Sequence, residues 1–212
     1  MVLELILARH GQTVWNSECR FQGWKDSPLT KRGVLQAKKI AKFLQGKRID
    51  SIFCSDLGRA KETAAFIIQH HPESFVEFVP ELREISFGLL EGKTWEQAAE
   101  STPSLFELET KDRFTIPHPR GESFEQLEER VGKFLKKILK LHDETILLAS
   151  HEGVGKTILQ ILFNLDFEAR GKVVQPHEIV YVIRIDSDGK KDCEWFNVEN
   201  GKKGKGFWEA KD

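Results

Sequence analysis

Short apolar runs alternate with stretches of helical periodicity along almost all of the 212 residues, and this alternation constrains the fold more than any other feature. Parallel strands cannot be joined by a tight turn and need a crossover, which a helix usually provides. The pattern therefore predicts an α/β protein, a three-layer αβα sandwich with helices on both faces of a mostly parallel sheet. Ligands bind such sheets beyond the carboxyl ends of the strands.

Six strands and four long helices are predicted from these periodicities. The strands cover residues 2–8, 50–55, 75–79, 144–149, 179–185 and 193–198, and the helices cover 30–46, 56–71, 123–141 and 154–163. Thr30 is expected to cap the first of these helices, and Asp188 with Gly189 predicts a hairpin turn between the last two strands. The residues expected on the inner face of the first helix are Leu35, Ile40, Phe43 and Leu44.

We expect a single domain over residues 1–212, with two less regular segments. Residues 81–122 contain only short helical pieces, near Trp95 and Leu105, and are interpreted as a lid or an inserted segment. Residues 200–212 form a basic, glycine-rich tail whose Phe207 and Trp208 are expected to dock on the body of the protein.

The composition excludes several classes of protein. With 32 basic and 33 acidic side chains the net charge is -1, which provides no global field for nucleic acid or for anionic membranes. Cys19, Cys54 and Cys193 lie far apart and form no C-x-x-C pair, so neither a disulfide framework nor a zinc site is expected, and a reducing cytoplasm fits best. The N-terminal segment lacks the features of a signal peptide, and no run reaches the roughly 20 apolar residues of a membrane span.

Three loops that follow predicted strands carry cations or imidazoles. They are residues 9–11, 55–59 and 150–153, which contain Arg9, His10, Arg59 and His151. Guanidinium groups and helix N-termini bind phosphate. A neutral imidazole can attack phosphorus while a second, protonated imidazole donates to the phosphoryl oxygens, so the loops indicate phosphoryl transfer on histidine. Gly11 is expected to allow the tight turn that directs His10 into the pocket.

Two other motifs are weaker candidates. Residues 150–157 resemble a nucleotide-binding P-loop but lack its first glycine. Cys54 and Arg59 are separated by four residues instead of the five found in a cysteine-phosphatase loop, and Cys54 belongs to an apolar strand, so it is expected to be buried and inert.

Four blocks in order resemble the signatures of the histidine phosphatase superfamily, whose fold is phosphoglycerate mutase-like. These blocks are LARHGQTVWN at 7–16, SDLGRAKETA at 55–64, LREISFGLLEG at 82–92 and SHEGVGKTIL at 150–159. A single R-H-G would be weak evidence, whereas four ordered blocks covering nearly the whole chain are strong evidence. The resemblance implies metal-independent hydrolysis of phosphomonoesters through a phosphohistidine, with no cofactor.

The resemblance also implies a role for each matching residue. His10 is the nucleophile, and Arg9, Arg59 and His151 complete the phosphate pocket. Asn16 and Gln22 match polar positions that reach the phosphate or its ester oxygen, and Glu84 matches the proton donor. Glu81 and Glu91 are expected to be solvated acids. Glu152 stands where the superfamily usually has glycine, and it either disfavours multiply charged substrates or faces away from the pocket.

Within the superfamily the sequence favours a phosphatase acting on a small phosphorylated metabolite. The mutases carry further arginines in the inserted region, where this chain has only Arg113 and Arg120 after Arg83, and PRGES at 119–123 resembles the phosphatase branch. A 2,3-bisphosphoglycerate-primed phosphoglycerate mutase remains the alternative, and a non-catalytic phospholigand-binding module is a third option. The sequence leaves the oligomeric state open, with a homodimer among the options.

Overall fold

The computed structural model describes residues 2–108, 110–142 and 144–208. Within them, seven strands form one sheet in the order β3-β2-β4-β1-β5-β6-β7. The strands are β1 Val2–Arg9, β2 Ser51–Ser55, β3 Phe75–Val79, β4 Thr145–Ser150, β5 Ile179–Asp186, β6 Lys191–Asn197 and β7 Lys203–Lys205.

Strands β3, β2, β4 and β1 run parallel, and β5, β6 and β7 continue the sheet in antiparallel pairs. The α/β fold is confirmed, and the sheet is mixed because hairpins add its last strands. The predicted β5–β6 turn is present: the Gly189 N–H donates to the Asp186 carbonyl at 3.0 Å, and Gly189 has φ +77°, the left-handed position that follows the turn in longer hairpin loops. The sequence pattern does not predict strand β7, because its residues Lys203–Lys205 show no alternation of apolar and polar side chains. Its Gly204 lies so close to the indole of Trp195 that a Cβ would overlap the ring.

Helices cover both faces of the sheet. They are α1 Val14–Ser17, α2 Lys31–Leu44, α3 Gly58–Ile68, α4 Trp95–Ser101, α5 Pro103–Phe106, α6 Thr110–Thr115, α7 Phe124–Ile138, α8 Glu152–Phe163 and α9 Phe167–Lys172. Thr30 caps α2, since its hydroxyl accepts from the Gly33 N–H. Ile40 and Leu44 are buried as predicted, but Leu35 is 58% exposed because it lies about half a turn away from the buried face.

Two apolar layers hold the helices on the sheet. Leu5 and Leu7 of β1 face the layer formed with α7 and α8, whereas Ile6 and Ala8 face the layer formed with α2 and α3. Successive side chains of a strand point to opposite faces, so the uninterrupted apolar run of β1 is what a strand covered on both sides requires. Strand β1 is thereby fixed in the middle of the sheet.

The inserted segment and the tail both pack on this body. Residues 81–122 contain two 3₁₀ turns and the short helices α4, α5 and α6. Phe207 packs edge-on against Phe163, and Trp208 packs edge-on against Trp195, with ring centroids 5.2 and 4.5 Å apart. The aromatic side chains of the tail therefore dock as predicted, while residues 209–212 lie outside the described residues. None of the helices in the described part is long and apolar enough to cross a membrane.

Candidate active site

The three loops that carry Arg9, His10, Arg59 and His151 meet at one edge of the sheet. Strands β2, β4 and β1 are neighbours, and Arg9 pairs in register with Ser150, so the loops that follow these strands lie side by side. His10 and His151 come next in the chain, and their ring centroids are 5.1 Å apart. The structure thus brings together residues that are about 140 positions apart in the sequence.

The imidazole of His10 is buried and held in one orientation. Its Nδ1–H donates to the carbonyl of Gly11 at 2.7 Å, and this bond fixes the tautomer and leaves a lone pair on Nε2. Burial, with His151, Arg59 and Arg9 nearby, lowers the pKa of His10 well below its usual value, so the ring is neutral at pH 7. Close packing requires Gly11, because a Cβ there would overlap the backbone of Gly33, whereas the turn expected from the sequence needs no left-handed φ at this position.

The guanidinium of Arg59 joins His10 to the first loop. Its Nε donates to Nε2 of His10 at 3.3 Å, and Nη2 donates to the Gly23 carbonyl at 2.7 Å. Nη1 donates to the Lys25 carbonyl and to the carboxylate of Asp26 at 2.8 and 2.9 Å. Burial lowers the pKa of Arg59, and Glu84 and Asp26 oppose that effect. Arg59 is therefore a rigid cation beside the lone pair of His10.

Arg9 forms an ion pair with Glu152, the acid that stands at the start of α8 where the superfamily usually has glycine. Its Nη1 lies 2.7 Å from a carboxylate oxygen of Glu152 and donates to the Gln175 carbonyl at 3.0 Å. Its buried Nε has no partner among the described residues. Glu152 therefore does not face away. Its charge offsets that of an arginine placed to bind phosphate.

His151 is fully buried beside His10. Burial, Arg59 and Arg9 hold the pKa of His151 well below its usual value, so the protonated form that the sequence argument used is disfavoured in the protein alone. Its Nε2 lies 2.8 Å from the hydroxyl of Ser55, and its Nδ1 has no partner within the described part of the chain. When the Ser55 hydroxyl donates to Nε2, the neutral ring carries its proton on Nδ1 and remains a hydrogen-bond donor.

The carboxylate of Glu84 is held by two backbone amides. Its oxygens accept from the N–H groups of Ile85 at 2.9 Å and Gly153 at 3.1 Å. A side chain at position 153 would overlap this carboxylate, so the glycine that follows Glu152 is required by close packing. The Trp24 indole donates to the Glu84 carbonyl at 2.8 Å, which fixes the backbone as well. Glu84 lines the same cavity as His10 and Arg59.

Asn16 and Gln22 line that cavity too, and both are tied to Thr13. Asn16 Oδ1 accepts from the Thr13 backbone and hydroxyl at 3.1 and 3.0 Å, which leaves its amide N–H groups for a ligand. Gln22 donates to the Thr13 hydroxyl, and its Oε1 is buried without a partner among the described residues. The structure therefore brings seven of the eight sequence-predicted site residues to one cavity wall, and the eighth, His151, lies behind that wall against the ring of His10.

A family model for the histidine phosphatase superfamily (branch 1) matches residues 5–198. The chain belongs to this superfamily. It is 37% identical over 160 residues to a metal-independent phosphoserine phosphatase of Arabidopsis thaliana, covering 74% of this chain and 67% of that protein. It is 29% identical over 191 residues to a 2,3-bisphosphoglycerate-dependent phosphoglycerate mutase of Methylorubrum populi, covering 87% and 90%. The crystal structure of an α-ribazole phosphatase from Shigella flexneri has a TM-score of 0.80 and 26% identity over 87% of this chain and 91% of that one.

The two competing motifs are not sites in this histidine phosphatase. Cys54 is buried in β2, and burial raises the pKa of its thiol to about 12, so it is not a thiolate nucleophile. Helix α8 begins at Glu152, immediately after His151, so residues 150–157 do not form a phosphate-binding loop.

The sequence did not reveal the outer part of the cavity. That cavity has a volume of about 360 Å³. The further residues that line it include Arg20, Phe21, Phe87, Trp95, Phe124, Lys156 and Arg170. Lys156 follows Glu152 by four residues, so helical periodicity could have placed it on the same face. Arg170 gave no local signal, because it lies on a short helix outside the four blocks.

Two further residues support the site from behind. The Nδ1–H of His177 donates to the His10 carbonyl at 2.7 Å, and burial, assisted by Arg9, lowers the pKa of His177 to about 3. Glu91, interpreted from the sequence as a solvated acid, instead accepts from the N–H groups of Trp24 and Phe87 at 3.0 and 3.1 Å. It joins the first loop to the segment that carries Glu84, and that interpretation was wrong because the contact spans 67 residues.

Proposed function

We propose that this histidine phosphatase hydrolyses a small phosphomonoester and that His10 carries the phosphoryl group during turnover. The observation that supports this most is the state of His10: a neutral ring, oriented by Gly11, whose Nε2 lone pair accepts only a long hydrogen bond, 3.3 Å, from the buried cation of Arg59. A nucleophile needs that lone pair, and the phosphoryl group needs the positive charge.

In the first step, Nε2 of His10 attacks phosphorus and the bond to the ester oxygen breaks. Arg9, Arg59 and His151 hold the phosphoryl oxygens, with the Asn16 and Gln22 amides as further partners. Glu84 in its acid form protonates the departing oxygen, because an alkoxide is a poor leaving group. Glu84 then acts as base, removes a proton from water, and that water attacks the phosphohistidine. Phosphate leaves and His10 is regenerated.

The competing function is that of a mutase, which returns the phosphoryl group to another hydroxyl and does not release it to water. The relative in Methylorubrum populi carries that name. The pairing of Arg9 with Glu152 favours hydrolysis, since it reduces the positive charge available to retain a highly charged bisphosphate. Interconversion of phosphoglycerates with a bisphosphoglycerate primer, much faster than ester hydrolysis, would establish the mutase.

The intermediate can be trapped directly. Rapid quenching with a radiolabelled phosphomonoester should leave label on the protein that is lost in acid and stable in alkali, as expected of a phosphoramidate. His10→Ala should abolish the label and lower turnover by about 10³-fold or more, whereas His70→Ala, at an exposed histidine just after α3, should change neither. Acid-stable label, or near-normal turnover of His10→Ala, would contradict the mechanism.

A further inference from the structure

The guanidinium of Arg170 is buried in the cavity wall without a counter-ion. Arg170 is 5% exposed, and its guanidinium lies over the rings of Phe124 and Phe167, 4.8 and 5.6 Å from their centroids. Its Nη2 donates to the Gly153 carbonyl and to the Thr157 hydroxyl at 3.2 and 3.3 Å. These partners are neutral, and no described carboxylate lies within 4 Å of its nitrogens.

This arrangement differs from that of the other arginines near the site. Arg59 pairs with Asp26, Arg9 pairs with Glu152, and Arg130 pairs with Glu122. A buried cation without an ion pair is costly, because desolvation is not repaid by a close opposite charge. Burial lowers the pKa of Arg170 to about 10, although carboxylates farther away oppose the shift. The residue remains charged at pH 7 and can still pair with an anion.

Arg170 lies close to Glu84, the group that protonates the leaving alcohol. The peptide unit at Gly153 donates its N–H to Glu84, and the carbonyl of the same residue accepts from Arg170. Arg170 therefore lies next to the group that protonates the ester oxygen. Arg170 is held by Gly153 and Thr157 of α8, and it has no hydrogen bond to His10 or Arg59 within the described part of the chain. It lies beyond the phosphoryl pocket.

A second cation lies on the same wall. Lys156 of α8 is half-buried and lines the cavity, and burial lowers its pKa. It forms no ion pair with any residue that the structure describes. Arg20, which also lines the cavity, is paired with Glu18 at 2.6 Å, and Arg113 of the inserted segment donates to the carbonyls of Leu108 and Phe106. The positive charge available to a substrate substituent is thus on α8 and α9.

We propose that Arg170, assisted by Lys156, binds a carboxylate on the alcohol part of the substrate, so that the preferred substrates are phosphorylated hydroxy acids. This inference rests on the proposed phosphatase function. A guanidinium fork matches the two oxygens of a carboxylate, and the small cavity favours a second anion close to the phosphate. An ester without the carboxylate leaves the buried cation unpaired, which is a strong basis for discrimination.

A matched pair of substrates tests the proposal. The compounds 3-phosphoglycerate and glycerol 3-phosphate differ in having a carboxylate or a hydroxymethyl group at the same carbon. The wild type should have at least tenfold higher kcat/KM for 3-phosphoglycerate. Arg170→Gln should reduce this ratio at least tenfold, and Lys156→Gln should reduce it about threefold. The control is Lys172→Gln, an exposed lysine of the same helix, which should keep the wild-type ratio.

Arg170→Lys is a second variant that tests the same ratio if Arg170→Gln does not fold. It keeps the charge but not the fork, and the ratio should fall to an intermediate value. A wild type without preference for the carboxylate overturns the proposal, as does an Arg170 variant that slows both esters equally. Failure of the proposed function gives a different result, since p-nitrophenyl phosphate would then not be hydrolysed either. In that case calorimetric titration of the wild type with both compounds decides whether Arg170 binds the carboxylate.

Discussion

The cavity has two halves that are built differently. The phosphoryl half, with Arg9, His10, Arg59 and His151, stands on the ends of three adjacent strands, and its arginines are held by carboxylates. The alcohol half, with Trp95, Lys156 and Arg170, stands on helices and on the inserted segment, and neither Lys156 nor Arg170 forms an ion pair within the described residues. The first half is fixed for one reaction, whereas the second leaves charge available for the substituent that distinguishes one substrate from another.

The boundary between the halves is Glu84, and its substitution should have the largest effect. Glu84→Gln should lower kcat/KM for an alkyl phosphate by about 10² to 10⁴, because the alkoxide then leaves without a proton. The loss for p-nitrophenyl phosphate should be much smaller, since its phenolate leaves unaided. Steady-state kinetics on both esters measure the difference. An equal loss would mean that another group, with Glu152 as the next candidate, supplies the proton.

The free energy of unfolding should depend on pH because of His177, which supports the phosphoryl half. His177 has a pKa of about 3 in the folded protein and about 6.5 in an unfolded chain, so between these values only the unfolded chain binds the proton. The free energy of unfolding must therefore decrease as the pH falls below about 6.5, by up to about 1.4 kcal/mol per pH unit for this residue. Urea titrations of the wild type from pH 6 to pH 4 should show that decrease.

His177→Asn keeps a donor for the His10 carbonyl and removes the titration. The pH slope of its unfolding free energy should be shallower by about 1.4 kcal/mol per pH unit over the same range. An identical slope for His177→Asn would show that the acid sensitivity arises elsewhere.

Neutralising Glu152 should increase the net positive charge of the phosphoryl half. Glu152→Gln frees Arg9 for the phosphoryl oxygens, and inorganic phosphate should inhibit about fivefold more strongly, in line with about 1 kcal/mol for a partly exposed pair. The inhibition constant of phosphate against p-nitrophenyl phosphate measures this. Unchanged inhibition would show that the pair with Glu152 does not compete with phosphate.

The smallest effect should come from chelators. Arg9 and Arg59 supply the positive charge that a divalent ion supplies in other phosphatases, so activity after treatment with EDTA should stay within about twofold of the untreated value. Loss of activity that a single divalent ion restores would contradict this prediction and would require a new account of the phosphoryl half.

The phosphoryl half could be predicted from the sequence, whereas the alcohol half could not. His10 and His151 each follow an apolar run of strand length, and parallel strands bring such positions together, so local patterns sufficed. Arg170, Glu91 and His177 depend on contacts with residues 17, 67 and 167 positions away, and no periodicity encodes such contacts. Strand β7 shows the same limit at smaller scale, since an added edge strand depends on its neighbour β6, whereas the helical period itself would have placed Leu35 about half a turn away from Leu44.

The central position of β1 has a consequence for synthesis on the ribosome. This strand pairs with β4 and β5, whose first residues are Thr145 and Ile179. At ordinary rates of translation, β1 therefore waits on the order of ten seconds for its first neighbouring strand. During that time its run VLELILAR is an unpaired apolar segment of the kind that chaperones shield. We expect a polar substitution at Leu5 or Leu7 to prevent the sheet from assembling, and nascent-chain proteolysis at increasing lengths should show protection of His10 only after β4 has emerged.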